Sequence, residues 1–210
     1  MIKTYPNAIL RQKCEEVDEG DVFEFGELIR SMSKVITDFD ALGLAAPQIG
    51  TAVRIIGIYP RHYRVDKNSV NEDDIRKAQE PKFMINPKIV ETNSTWIGKE
   101  ACLSFPGVLV DVKRNASVKV EYIDQEGQPH TEDLFGEEAI IVQHEIDHLD
   151  GITLINKASQ VHRGRIMRKL KVARRRMKKY AKMNKRLEKI GAQLKKFDDA
   201  AVKPETVDES

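Results

Sequence analysis

The chain has 210 residues, of which 40% are hydrophobic and 32% are charged, so it is long enough to bury one sizeable core. It has no run of roughly 18 apolar residues and no apolar signal segment after Met1, which predicts a cytoplasmic protein that does not interact with membranes. The two cysteines show no disulfide framework, and the net charge of +2 hides a very uneven distribution along the chain.

The first predicted element is an amphipathic helix from about Phe23 to Phe39. A glycine-rich loop follows it and contains Gly43-Leu44-Ala45-Ala46-Pro47-Gln48. Taken alone, Gln48 in such a loop is most simply a solvent-exposed residue. Further on, the polar and charged residues 60–81 predict a solvated surface insertion.

The middle of the chain is rich in predicted strands. Alternating or β-branched stretches place them at Val53 to Tyr59, Lys88 to Thr92, Val108 to Val112, Ser117 to Ile123 and Thr131 to Leu134. A helical pattern follows these strands. The order predicts an α+β fold in which antiparallel strands pack around a central metal-binding helix, with a long C-terminal helix after it.

Cys102 lies in the segment Glu100-Ala101-Cys102-Leu103-Ser104, just before the turn signal Pro106-Gly107. Such a turn can hold the sulfur rigidly at the rim of a cleft. In a reducing compartment, a conspicuous cysteine is more often a metal ligand or a catalytic group than a disulfide partner. Cys14, by contrast, is most simply a small buried hydrophobe.

The predicted helix from Gly136 to Gly151 carries His144 and His148, four residues apart. Residues at this spacing share a helix face, so both imidazoles can bind one metal ion while Glu145 reaches a water on that ion. A five-residue pattern with these three positions fixed would occur by chance in roughly one chain of this size in a few hundred. A catalytic ion generally takes a third protein ligand, for which Cys102 is the candidate.

The C-terminal region shows the sharpest change in composition. Residues 161–197 contain 16 lysines or arginines and the single acid Glu188, with an apolar seam at helical spacing. A solvated face, a membrane-surface helix and an RNA-binding arm are the alternatives. An RNA phosphate backbone is the favoured partner, because the seam is narrow and lacks Trp or Phe before Phe197. Residues 198–210 are predicted to be a disordered acidic tail.

Three motifs in this order resemble the peptide deformylase family. They are Gly43-Leu44-Ala45-Ala46-Pro47-Gln48, Glu100-Ala101-Cys102-Leu103-Ser104 and Gln143-His144-Glu145-Ile146-Asp147-His148. The resemblance implies a catalytic domain over residues 1–160, which removes the formyl group from the N-terminal formyl-methionine of nascent polypeptides. Ala41 and Ala101 stand where the family usually has glycine, which puts substrate fit most in doubt.

The resemblance also implies a role for each site residue. Cys102, His144 and His148 would hold the metal, and Glu145 would act first as general base and then as general acid. The Gln48 side-chain amide and the Leu103 backbone N–H would donate to the formyl oxygen. Substrate would be bound by Leu42, Gly43, Ala101, Ile140 and Ile141, with Leu42 and the two isoleucines forming the methionine pocket.

The resemblance favours Fe²⁺ as the metal in the cell, with Zn²⁺, Ni²⁺ or Co²⁺ in purified protein. It also implies docking of the basic helix on the ribosome. Two alternatives remain from the residues. One is an RNA-binding protein whose metal site is structural. The other is a zinc peptidase, which usually takes its third ligand from a downstream His, Glu or Asp.

Overall fold

The computed structural model of the protein describes residues 1–59 and 80–201. Its helices are α1 (Gly26–Asp38), α2 (Gly136–Leu149), α3 (Leu154–Lys157) and α4 (Gln160–Ala201). Its strands are β1 (Gly43–Ala45), β2 (Ile55–Ile58), β3 (Lys82–Glu100), β4 (Val110–Ile123) and β5 (Pro129–Phe135). The predicted insertion at 60–81 lies outside the described residues except for its last two, and so do residues 202–210 of the predicted tail.

The strands form one sheet in the order β1-β2-β3-β4-β5, and every neighbouring pair is antiparallel. The class is therefore α+β, as predicted. Strands β3 and β4 are the longest, and the connection between them carries Cys102. Strand β5 runs directly into α2, so the segments that bear the sulfur and the two imidazoles both leave the sheet at strand ends.

Helix α2 buries an apolar face against the sheet. Its residues Ala139, Val142 and Leu149 belong to one core cluster with inward side chains of the strands, including Val120 of β4. A second cluster joins α1 to the first strands and includes Met32, Ile36, Leu44, Ile55 and Phe83. The burial of α2 on this face holds its backbone in place, so the side chains beside that face are held with it.

The strand pattern differs from the prediction in three places. The predicted strand at Lys88 to Thr92 is the middle of a 19-residue strand, and residues 43–45 of the predicted loop form β1. The predicted break between Val112 and Ser117 is wrong, because β4 is continuous. The prediction failed at Arg114, because a charged residue interrupts the apolar alternation of the sequence. In the structure Arg114 nevertheless lies at an inward position of β4 and is buried.

The chain divides into two compact units, Met1–Ile166 and Met167–Ser210. The first contains the sheet and helices α1 to α3. The second contains most of α4, which begins one residue before the predicted basic segment and continues through Ala201 into the predicted tail. Arg174, Arg175 and Arg176 are exposed on it. None of the helices in the described part of the chain has the length and apolar character needed to cross a bilayer.

Candidate metal centre

The structure brings Cys102, His144 and His148 together. One ligand atom from each lies within 4.8 Å of the others, and the Cys102 sulfur is 3.2 Å from His148 Nε2. Both histidines are buried, with exposures of 8% and 1%, and their rings meet edge to face at 5.1 Å. The cysteine comes from the β3–β4 connection and the histidines from one face of α2, as the four-residue spacing predicts.

Glu100 orients the first imidazole. His144 Nδ1 lies 2.8 Å from Glu100 Oε2, which leaves Nε2 of that ring for a metal. Arg114 donates two hydrogen bonds to the same carboxylate, from Nε to Oε1 at 2.7 Å and from Nη2 to Oε2 at 3.0 Å. Burial by itself raises the pKa of Glu100, but the bonds from His144 and Arg114 outweigh it and lower the pKa to about 2. Glu100 is therefore a buried, fully ionised carboxylate.

Asp147 directly precedes the second histidine, and metal-bound imidazoles commonly donate their other N–H to a carboxylate. In the described structure its carboxylate instead accepts from Arg114 and lies 3.1 Å from Lys157. The carboxylate that bonds an imidazole of the site is Glu100, at the end of strand β3, and the imidazole is that of His144. Burial, together with the neighbouring His144, lowers the pKa of His148 well below its usual value, so its ring is neutral, the form that binds metal.

Glu145 is the second buried carboxylate of the site, with an exposure of 4%. Burial raises its pKa from 4.5 to about 7, so it can accept and release a proton near neutrality. Its Oε2 has no hydrogen-bond partner among the described residues. A Cβ at Gly43 would lie 2.7 Å from Glu145 Oε1 and 2.8 Å from Ile141 Cγ2, so only glycine fits beside this carboxylate.

Gln48 is not the solvent-exposed loop residue of the simplest interpretation, since its exposure is 2%. Its Oε1 accepts from the Ala45 backbone N–H at 2.7 Å, which fixes the orientation of the amide. Its Nε2 lies 3.5 Å from the Cys102 sulfur and 3.4 Å from Ser104 Oγ. The donor end of the amide therefore points at the metal-binding group.

The other predicted substrate-binding residues differ in exposure. Leu42 is partly buried against the core cluster that contains Ile141, and Ile140 is partly buried. Ile141 is 8% exposed and lies against Gly43, while Ala101 is exposed next to Cys102.

Two residues that orient the site had no role in the sequence analysis. Glu100 stood in a quoted motif, but its link to His144 spans 44 residues. Arg114 had a detectable signal, because it continues the inward positions of Val110 and Val112. A charged residue at an inward position of a strand requires a buried partner of opposite charge.

The donor set fits a single transition-metal ion. One cysteine sulfur and two imidazole nitrogens, in the deprotonated forms that bind metal, suit Zn²⁺, Fe²⁺ or Co²⁺ and leave further coordination positions open. The Glu145 oxygen that lacks a partner lies on the residue next to a ligand, where a water on such an ion would satisfy it. This arrangement is typical of metal-dependent hydrolysis.

Comparison with known proteins agrees with this chemistry. A sequence model of the polypeptide deformylase family matches residues 1–164. The chain is 35% identical to a peptide deformylase of Christiangramia forsetii over 80% of this chain and 86% of that one. It is 38% identical to that of Aquifex aeolicus over 74% and 85%. The crystal structure of a Legionella pneumophila peptide deformylase superposes with a TM-score of 0.71 at 30% identity, covering 84% of this chain and 96% of the other.

Proposed function

This chain belongs to the polypeptide deformylase family and removes the formyl group from the N-terminal formyl-methionine of nascent polypeptides, and we propose that Glu145 is the proton-transfer residue of this reaction. The observation that carries the proposal is a buried carboxylate, with its pKa raised to about 7, on the residue directly after His144, whose imidazole can share one metal ion with the His148 imidazole and the Cys102 sulfur. The family that the three motifs indicate is confirmed by the family model that matches residues 1–164.

Cys102, His144 and His148 would hold the metal. When bound, a divalent ion supplies Lewis acidity towards the formyl oxygen and lowers the pKa of water. Glu145 accepts the proton of the attacking water and donates it to the amine nitrogen as the C–N bond breaks. Formate and a free amino terminus are the products. A single carboxylate can serve both steps because its pKa is close to neutral.

Gln48 and Leu103 would stabilise the negative charge that develops on the formyl oxygen. The Gln48 amide is held by Ala45 so that its Nε2 points to the metal group, and this orientation requires no rearrangement during the reaction. The Leu103 backbone N–H follows the cysteine ligand directly. The loss of one such donor typically lowers kcat by roughly a hundredfold or more.

Leu42, Gly43, Ala101, Ile140 and Ile141 would bind the substrate. The support is the contact of Gly43 with both Glu145 and Ile141, which joins the proton-transfer residue to an apolar surface. We further propose Fe²⁺ as the metal in the cell, with Zn²⁺, Ni²⁺ or Co²⁺ in purified protein, since this donor set accommodates each of them.

The basic helix α4 would bind ribosomal RNA in the cytoplasm. Its support is the density of positive charge and the exposure of Arg174, Arg175 and Arg176. Substitution of these three arginines by alanine should weaken co-sedimentation with ribosomes and reduce its salt dependence. Alanine at three exposed lysines of the first unit, Lys13, Lys88 and Lys113, is the matched control. Equal ribosome binding by both triple variants would contradict the proposal.

Formate release tests the assignment of Glu145. Protein loaded with iron under anaerobic conditions should release formate from formyl-Met-Ala-Ser. The Glu145→Gln variant should be slower by roughly a hundredfold to ten-thousandfold at equal metal content. Glu121→Gln, an exposed carboxylate of β4, is the control and should retain full activity. A fully active, metal-loaded Glu145→Gln variant would remove the proton-transfer role from this residue.

A further inference from the structure

Trp96 lies on the face of the sheet that carries the metal-binding group. In the β3–β4 pair, Trp96 is opposite Arg114, and Glu100 is opposite Val110. Opposed residues of an antiparallel pair share a face, and Arg114 and Val110 are both buried. Positions 96, 98 and 100 therefore project to the same side of the sheet. Glu100, at the end of this row, bonds to His144.

The indole of Trp96 extends along the strand towards Glu100. A Cβ at Gly98 would overlap Cη2 and Cζ3 of the Trp96 ring, so the far edge of the ring occupies the space that the side chain of any other residue would fill. Residues two apart on a strand are separated by roughly 6.6 Å. The tip of the indole thus lies about one residue pair from Glu100 and faces the region around the metal ligands.

The ring is open on its outer side. Trp96 is 45% exposed, although its neighbours across the strand are buried, so the described residues leave much of a large aromatic surface uncovered. The Trp96 ring packs directly against the backbone of Gly98, so it cannot move further towards the strand. The ring is therefore a preformed apolar surface over Gly98, about one residue pair from the carboxylate that orients His144.

We propose that Trp96, seated on Gly98, is a specificity-determining residue that contacts the methionine side chain of the formyl substrate. The inference rests on the deformylase activity and adds a residue that neither the motifs nor the ligand set includes. A thioether is unbranched and polarisable, and it makes favourable contacts with aromatic rings. The contact involves no reacting atom, so its loss raises KM and leaves kcat nearly unchanged.

Substrate discrimination is the first measurement. For Trp96→Ala, kcat/KM for formyl-Met-Ala-Ser should fall about tenfold, the value of burying part of one apolar side chain, while kcat/KM for formyl-Ala-Ala-Ser stays within about twofold. Ile97→Ala is the matched control, since Ile97 is next in the strand, points to the opposite face and is 67% exposed. It should leave the ratio of the two substrates unchanged.

Gly98→Ala keeps the tryptophan but displaces its ring, because the added methyl group would overlap the indole. It should lower the preference for formyl-Met over formyl-Ala in the same direction as Trp96→Ala. This second variant separates a contact with substrate from a general effect of losing a large side chain. Unchanged discrimination in both variants would overturn the proposal.

Fluorescence gives an independent readout, because Trp96 is the only tryptophan in the chain. In metal-loaded Glu145→Gln protein, formyl-Met-Ala-Ser should change the emission in a saturable manner, and formyl-Ala-Ala-Ser at saturation should change it much less. Identical responses to both peptides, or no response to either while binding is demonstrated by calorimetry, would refute the contact. If the unaltered protein releases no formate from formyl-Met-Ala-Ser, the deformylase assignment fails. Normal release with unchanged discrimination refutes only the role of Trp96.

Discussion

The replacement of Arg114 by methionine tests whether the buried ion pair supports the site. The side chains of Arg114 and Glu100 are 4% and 6% exposed, and the guanidinium makes two hydrogen bonds to this carboxylate and one to Asp147. Methionine replaces much of the aliphatic volume but leaves Glu100 charged and buried, with His144 as its remaining partner. Loss of one partner from a buried pair costs about 3–5 kcal/mol. Asp147 adds less to this cost, because it retains Lys157 as an ion-pair partner at 3.1 Å.

Urea unfolding of metal-loaded protein, followed by circular dichroism, measures this cost. Arg114→Met should lose about 3–5 kcal/mol of unfolding free energy, whereas Lys113→Met, at the neighbouring exposed position, should change it by less than about 0.5 kcal/mol. Competition with a chelator should show metal affinity reduced by roughly 10- to 100-fold, since Glu100 is no longer anchored by Arg114 and therefore holds the His144 ring less firmly.

A double variant gives the decisive comparison. Arg114→Met combined with Glu100→Gln removes both charges, so it should be more stable than Arg114→Met alone, in which one buried charge lacks its main partner. The reasoning is refuted if Arg114→Met lies within about 1 kcal/mol of the parent with unchanged metal affinity. It is also refuted if the costs of the two substitutions simply add.

Three further substitutions give distinct outcomes. Gly43→Ala should lower kcat by roughly a hundredfold at unchanged metal content, because the new Cβ would lie 2.7 Å from Glu145 Oε1 and displace it; a full kcat would contradict this. Asn86 has φ +51 and bonds the Val17 backbone N–H at 2.9 Å and carbonyl at 2.7 Å. Asn86→Ala should therefore be less stable than Asn86→Gly by about 1 kcal/mol, and equal melting temperatures would refute the strain. Burial raises the pKa of the Cys14 thiol from 9.0 to about 11, so the unfolded chain ionises first as pH rises. The difference in unfolding free energy between the parent and Cys14→Ala should be constant below pH 9. Between pH 9 and 11 it should shrink by roughly 1.4 kcal/mol per pH unit. A difference that stays constant up to pH 11 would refute the raised pKa.

The parts of the site that local periodicity encodes were predictable from the sequence. His144, Glu145 and His148 lie on one helix, so their spacing alone places two ligands and a carboxylate together. The α+β class followed from the order of strands and helices. Cys102 is different, because it meets His148 across 46 residues; its turn context and the lack of a disulfide framework, rather than any periodicity, made it the candidate third ligand.

The rest depended on contacts between distant segments. The pairing of Glu100 with Arg114 was hidden because two charges inside a sheet resemble ordinary exposed positions, and Arg114 even suggested a break in β4. The burial of Gln48 was similarly not predictable, since nothing in the sequence of a glycine-rich loop indicates that the Ala45 backbone N–H donates a hydrogen bond to the glutamine side chain and fixes it. Gly43 was named as a substrate residue, but its close approach to Glu145 emerges only from the packing of β1 against α2.

The sheet order β1-β2-β3-β4-β5 has a consequence for how the protein is made. Each strand pairs with the one that precedes it in the chain, so every hairpin can close as soon as its second strand has been synthesised. Such sequential pairing keeps the loop-closure cost low and favours fast folding. Helix α2 ends at Leu149, so every metal ligand is present well before residues 167–210 leave the ribosome. The enzyme can therefore assemble its metal site during its own translation, before its basic helix is complete.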